Sequence, residues 1–355
     1  MKRIVINLFF LSPAISSFAQ FPTNVLIGYW QNWDSKIAPY VSLDSINPAY
    51  NVIMVSFAIP ASVTDMTMAF KPLVENEETI KLQIKRLQNA NKKIFLSIGG
   101  GNAFISLMSP EDKDKFSASI STIIEEYNFD GIDIDIEKGE SLKVTENTSI
   151  RKPKDKPLLY LIAGIRDILN NYKSKRGRKL LLSMAPMVEN TLCGYTHYGG
   201  YKGSYLPIIE ALRDDIDLLH VQLYNSLPRK ALDGNIYTAG TPDFLVSMTE
   251  MLIKGFIGPG GKFKGIPSNK ISILLKACDY SSKEGNGFLQ NDQVKRAIKY
   301  LISGQAPPAF YQLQNRNGYP EITKISTWSI NWDEATTCGN RGDFVSLYKS
   351  IFNNK

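Results

Sequence analysis

Eight short apolar runs rich in β-branched residues recur along this chain, and most of the stretches between them carry apolar residues at helical spacing. The runs cover 25–29, 52–57, 93–98, 131–136, 180–184, 218–223, 271–275 and 325–330. Helix-period segments fall at 75–88, 113–127, 158–172, 205–213, 243–253, 292–303 and 344–352. Continuous apolar runs suit strands covered on both faces, and a helix between successive strands returns the chain for parallel pairing. The pattern predicts an α/β fold, a single (β/α)8 TIM barrel, which typically takes ~250 residues plus insertions. A doubly wound open sheet is the alternative. The number of strands, with no break in composition and no Gly/Ser linker, favours one barrel domain over 20–355.

Composition adds boundaries to that expectation. With 43% hydrophobic and 21% charged residues, the chain is neither disordered nor fibrous. Three cysteines, Cys193, Cys278 and Cys338, permit at most one bridge, and their pairing stays open. The formal charge is +7, and the densest basic run, 173–179 (KSKRGRK), falls between a helix and a strand. Basic residues suit a helix C-terminus, so this reads as a solvated turn, and no nucleic-acid partner is expected. Residues 1–19 read as a cleaved signal peptide, with Lys2 and Arg3, an apolar core from Ile4, and Ser17-Phe18-Ala19 at the cleavage position. Its removal leaves 39 basic against 34 acidic residues, +5. No later stretch approaches the roughly 20 apolar residues of a membrane span. A secreted protein, extracellular or periplasmic, is expected, with no membrane partner. It is read as a monomer, an accessory-subunit role remaining open.

The fourth run reads Asp130-Gly131-Ile132-Asp133-Ile134-Asp135-Ile136-Glu137. Strand side chains alternate faces, so the isoleucines share one face and Asp133, Asp135 and Glu137 the other. If the isoleucines pack against outer helices, three acids point into the barrel, at its C-terminal mouth, where this fold places its chemistry. Carboxylates so close together cannot all ionise cheaply and should titrate as a coupled set. A wet edge strand would be the bland alternative, but a closed barrel has no edge. A metal site is weaker, because His197 and His220 are the two histidines and neither has ligand spacing. No metal or cofactor is expected. Gly99-Gly100-Gly101 could suggest a phosphate cradle, but Phe104 stands where the third glycine is needed.

The acidic run resembles the DxxDxDxE signature of glycoside hydrolase family 18, the chitinases and their relatives. The resemblance extends through Gly28-Tyr29-Trp30, Ser56-Phe57-Ala58, Ser97-Ile98-Gly99-Gly100, Met184-Ala185-Pro186-Met187, Gln222-Leu223-Tyr224-Asn225 and Trp328-Ser329-Ile330-Asn331-Trp332-Asp333, each at a predicted strand end. It implies retaining hydrolysis of β-1,4-linked N-acetylglucosamine in chitin or chitooligosaccharides, by a substrate-assisted route. Glu137 would protonate the glycosidic oxygen. The substrate's own acetamido oxygen would attack the anomeric carbon, oriented by Asp135 and Tyr224, with Asp133 holding Asp135 by a shared proton. Trp328 would floor the reacting subsite, and Tyr29, Gln222, Asn225, Met184 and Phe57 would form its walls. Asp130, Gly131, Ser97, Gly99 and Gly100 complete the motif framework, Asp130 being read as a structural anchor. An endo-β-N-acetylglucosaminidase and a non-hydrolytic lectin share the family and stay open. The segment 278–324 is too short for a large insertion domain, so an open cleft is expected.

Overall fold

The computed structural model describes residues 23–352 apart from 147, 280–286 and 337–338. The expected signal peptide lies outside the described residues, as does Cys338. Eight strands form the main sheet: β1 (Val25–Gln31), β2 (Val52–Ser62), β3 (Lys93–Gly99), β4 (Gly131–Asp135), β5 (Leu181–Met184), β6 (Ile216–Leu219), β7 (Ile273–Lys276) and β8 (Lys324–Trp328). All pair in parallel in the order β7-β8-β1-β2-β3-β4-β5-β6. Parallel bridges from Leu219 to Ile271 and from Gln222 to Leu274 join β6 back to β7, so the sheet closes into a barrel.

Helices α1 (Glu77–Asn89), α2 (Pro110–Tyr127), α3 (Lys156–Arg176), α4 (Tyr205–Ala211), α5 (Pro242–Lys254), α6 (Asn291–Ser303), α7 (Ile330–Glu334) and α8 (Asp343–Phe352) cover the outside. Local chemistry sets their ends. Asn76 caps α1 by accepting from Thr79 N, Ser109 and Asp112 form a capping box on α2, and Gly177 ends α3 in the left-handed region. The connection from β1 to β2 carries a single 3-10 turn, Leu43–Ser45, where the barrel pattern calls for a helix. The basic run forms the last turn of α3 and the bend that follows it, with Lys175 paired to Glu125 and Lys179 to Asp217.

Two apolar layers follow from strand alternation. Leu26, Ile53, Val55, Ile94, Leu96, Ile132, Ile134 and Ile136 point outward into the core beneath the helices. Val25, Ile27, Val52, Met54, Phe95, Leu218 and Leu274 fill the barrel interior. Each fully buried aliphatic side chain contributes about 1.5–3 kcal/mol, so this outward face of β4 fixes the inward direction of its acids. Gly131 is small because a Cβ there would stand 2.4 Å from the Phe95 ring. Strand β2 runs beyond the predicted 52–57 to pair with Asp65–Ala69 as a hairpin beside the barrel mouth. Between β7 and β8 the described residues hold α6 as the one long element, as the short segment implied. Cys193 is a buried free thiol, and Cys278 is disulfide-bonded.

Candidate active site

Strand β4 and the two residues that follow it deliver three carboxyl groups at increasing height. Asp133 is fully buried, Asp135 is 4% exposed, and Glu137 stands half-buried at the mouth. Asp133 is surrounded by donors: Tyr29 OH and Ser97 Oγ both donate to its Oδ2 at 2.8 Å, and His220 Nε2 lies 3.2 Å from its Oδ1. Asp135 Oδ1 accepts from Gln222 Nε2 at 2.9 Å, and the same nitrogen reaches Glu137 Oε1 at 3.2 Å and the Ala185 carbonyl at 3.0 Å. Gln222 therefore yokes the two upper carboxyl groups. The hydrogen bonds of Asp133 go down and sideways into the barrel, so the shared proton expected between Asp133 and Asp135 is not among the contacts described.

Electrostatics separates the row from ordinary surface acids. Burial, then the charges of Glu137 and Asp133, push the Asp135 carboxyl well above the usual carboxylate range, with Gln222 opposing. Burial also raises Glu137, opposed by the Gln222 hydrogen bond and the Lys138 charge. The Tyr224 hydroxyl is pushed far above its ordinary value by burial and by the charges of Asp135, Glu137 and Asp133, so it stays a donor across the working pH range. A carboxyl group raised by burial keeps its proton to higher pH than an exposed one, which suits general acid work.

Above the row opens a cleft of ≈ 950 Å³. Its floor is aromatic: Phe57 and Trp328 stack at 5.8 Å with planes 9° apart, and Trp33 packs on both at 6.1 and 6.3 Å. The glycines after β3 admit this floor. Gly100 has φ +78°, and a Cβ there would meet the Phe57 ring at 2.6 Å, while one on Gly99 would meet the Asp135 carbonyl at 2.5 Å. Among the described residues lining the cleft, Asp135 and Glu137 are the carboxylates, both on one wall; Tyr224, Asn225, Trp332 and Lys276 join them.

The structure brings most expected residues together. Glu137, Asp135, Tyr224, Gln222, Asn225, Phe57 and Trp328 line the cleft, and Tyr29 and Ser97 lie just beneath, on Asp133. Met184 is a correction: β5 directs Ser183 inward, so Met184 points outward and is fully buried among the helices, and Met187 lines the cleft instead. Asp130 sits at the opposite end of β4, where its Oδ2 accepts from Ile94 N and Gln88 Nε2 at 3.0 Å, an anchor. Trp30 is core, its Nε1 bonded to the Val41 carbonyl. Trp33 and Trp332 belong to the cleft. Site residues that escaped sequence reasoning include His220, Lys276, Asn32, Lys71 and Asn102. His220 was legible in principle, being two residues before Gln222 and four before Tyr224 on the same face. Lys276 ends β7 with its ammonium 6.0 Å from the Tyr224 ring centre, and burial lowers its pKa.

Comparisons with known proteins agree on one family. The model for glycosyl hydrolases family 18 matches residues 25–345. Chitinase Chi52 of Paenibacillus xylanexedens is 38% identical over 335 residues, which is 93% of this chain and 62% of that protein. Chitinase D of Niallia circulans is 39% identical over 316 residues, 88% of this chain and 59% of that protein. The chain thus spans about three fifths of the length of these two relatives. Among solved structures, a family GH18 chitinase from Chromobacterium violaceum matches with a TM-score of 0.79 at 29% identity, covering 94% of this chain and 84% of that one.

Proposed function

This chain belongs to the glycosyl hydrolases of family 18, and on that premise we propose that it hydrolyses β-1,4-linked N-acetylglucosamine polymers and oligomers with retention of configuration. The observation that carries the mechanism is that the two cleft carboxylates stand on one wall, yoked by a single amide. The common two-carboxylate schemes place acids on either side of the sugar, ~5 Å or more apart. Here Asp135 and Glu137 are the carboxylates among the described residues lining the cleft, an arrangement that supports a nucleophile supplied by the substrate. A 2-acetamido oxygen attacking its own anomeric carbon supplies it.

Each residue then has a distinct task. Glu137, raised by burial, donates its proton to the leaving oxygen as the glycosidic bond breaks. Asp135 accepts from the acetamido N–H, which both turns the carbonyl oxygen toward the anomeric carbon and stabilises the positive charge of the cyclic intermediate. Tyr224 OH donates to the acetamido oxygen and fixes its position. The Trp328–Phe57 stack takes the apolar face of the pyranose ring. Water opens the intermediate on the face left by the first product, deprotonated by Glu137.

The relatives named chitinases support this substrate class. Residues 1–19 would direct export, a point that mass spectrometry of the mature N-terminus tests. Among the described residues no helix is long and apolar enough to cross a membrane. The activity is tested by incubating the protein with chitotetraose and, in parallel, with a glycoprotein bearing N-glycans. Shorter N-acetylglucosamine oligomers from the first are expected. Release of the glycan from the second without cleavage of the first would overturn the proposal.

A further inference from the structure

His220 is fully buried at the centre of the barrel, and nothing in the proposed reaction uses it. Its Nε2 meets three groups: Ser183 Oγ at 2.8 Å, Tyr29 OH at 3.2 Å and Asp133 Oδ1 at 3.2 Å. On the other side, Nδ1 lies 3.1 Å from Ser326 Oγ, which is 3.0 Å from Ser272 Oγ. The titratable groups facing the imidazole are Tyr29 from β1 and Asp133 from β4, with Asp135 two residues higher. Strands β3, β5 and β8 present the hydroxyls of Ser97, Ser183 and Ser326 around it, with that of Ser272 from just before β7. The inward cations of β7 and β8 stand further off: Lys276 lines the cleft, and Lys324 Nζ donates to the Asn269 carbonyl.

The position of the imidazole proton follows from these partners. Asp133 Oδ2 already takes Tyr29 and Ser97, leaving Oδ1 to His220. A bare Nε2 could accept from Ser183, but its lone pair would then face a carboxylate oxygen. An N–H facing that oxygen makes a charge-assisted hydrogen bond, the stronger arrangement. With the proton on Nε2, Nδ1 is an acceptor, so Ser326 donates to it and Ser272 donates to Ser326.

We propose that His220 is a positioning residue that carries its proton on Nε2, donates it to Asp133, and so gathers the negative charge of the acid row at its buried end. The row's protons then remain on Asp135 and Glu137 at the mouth, where the leaving group needs one. This rests on the chitinolytic reading for its catalytic consequence, though not for the proton's location.

Two measurements test it. The chain contains two histidines, and His197 is exposed, so the side-chain nitrogens of a 15N-histidine-labelled sample are readily assigned. The buried ring should show the proton on Nε2 throughout the active pH range; a proton on Nδ1 overturns the proposal. The second compares H220F with H220Q by pH profiles on chitotetraose. Removing a donor from a carboxylate makes ionisation of the coupled row harder, so the acid limb of H220F should move up by about 1 pH unit. In H220Q the amide can stand where Nε2 stood, and the limb should return to the wild-type position. Folded variants whose profiles both superpose on the wild type's would overturn the role. If neither variant folds, the tautomer measurement on the unaltered protein still decides it. Wild-type protein inactive on chitotetraose but protonated at Nε2 would sink the substrate assignment and support the placement of His220.

Discussion

Replacing Gln222 by methionine isolates the yoke between the upper carboxyl groups. Methionine keeps length and volume while removing both N–H donors. In the native chain two protons serve three acceptors, at 2.9 Å on Asp135, 3.0 Å on Ala185 and 3.2 Å on Glu137. A hydrogen bond to a charged group is worth about 1.5–3 kcal/mol, and one pKa unit corresponds to about 1.4 kcal/mol. Since Gln222 holds both acids down, its loss should raise them further, Asp135 more than Glu137 because its bond is shorter. The limb of the kcat profile that follows the row should therefore move to higher pH by at least about one unit. Stability has its own sign. Both acids are raised in the fold, so the native state binds more protons than the unfolded chain, and stability declines as pH rises from the ordinary carboxylate value toward the raised one. Raising them again widens that loss, so the difference in Tm between Q222M and wild type should be larger at pH 8 than at pH 5. Profiles on chitotetraose together with thermal melts at both pH values measure these effects. A variant that lost rate with its limbs unmoved, and whose Tm deficit was the same at both pH values, would refute the electrostatic account of Gln222.

Three further outcomes are expected. Glu137→Gln should lower turnover of chitotetraose by on the order of 10²–10⁴ while oligosaccharide binding, followed by tryptophan fluorescence, persists; near-normal turnover would remove Glu137 from the mechanism. If the acetamido group attacks, a fresh NMR time course should show the β-anomer first, and oligomers lacking the N-acetyl group at the cleaved sugar should not react; an early α-anomer contradicts this. Gly100→Ala places a Cβ 2.6 Å from the Phe57 ring at φ +78°, so it should destabilise the fold by the ~1–2 kcal/mol of left-handed strain, seen as a lower Tm, and raise KM by displacing the aromatic floor; unchanged Tm and KM would show that the floor yields freely.

Much of the site was legible because its elements are local. Alternation alone puts Asp133 and Asp135 on one face of a five-residue strand whose other face is isoleucine, and Glu137, two residues past its end, continues that face. The same arithmetic, applied backwards from Tyr224 and Gln222, reaches His220, but a lone histidine outside any motif carries no sign of what surrounds it. Met184 shows the opposite limit. Strand β5 is four residues long, and whether Ser183 or Met184 faces inward depends on register with its neighbours. The hairpin beyond β2 was missed because Pro60 interrupts the apolar run, and its pairing with Asp65–Ala69 lies past the barrel wall.

The chain by itself determines the order of strands and helices, the row of acids and the apolar face that turns them inward, because these depend on side-chain period and burial within one element. Tertiary structure decides how those acids are partnered. Tyr29 and Ser97 reach Asp133 from β1 and β3, and from just past the end of β6, two strands along from β4, His220 reaches Asp133 and Gln222 reaches Asp135 and Glu137. Hydrogen bonds act over about 3 Å, so which charge is held at the bottom of the row and which proton is left at its mouth is settled only when the barrel closes and sets those strands side by side.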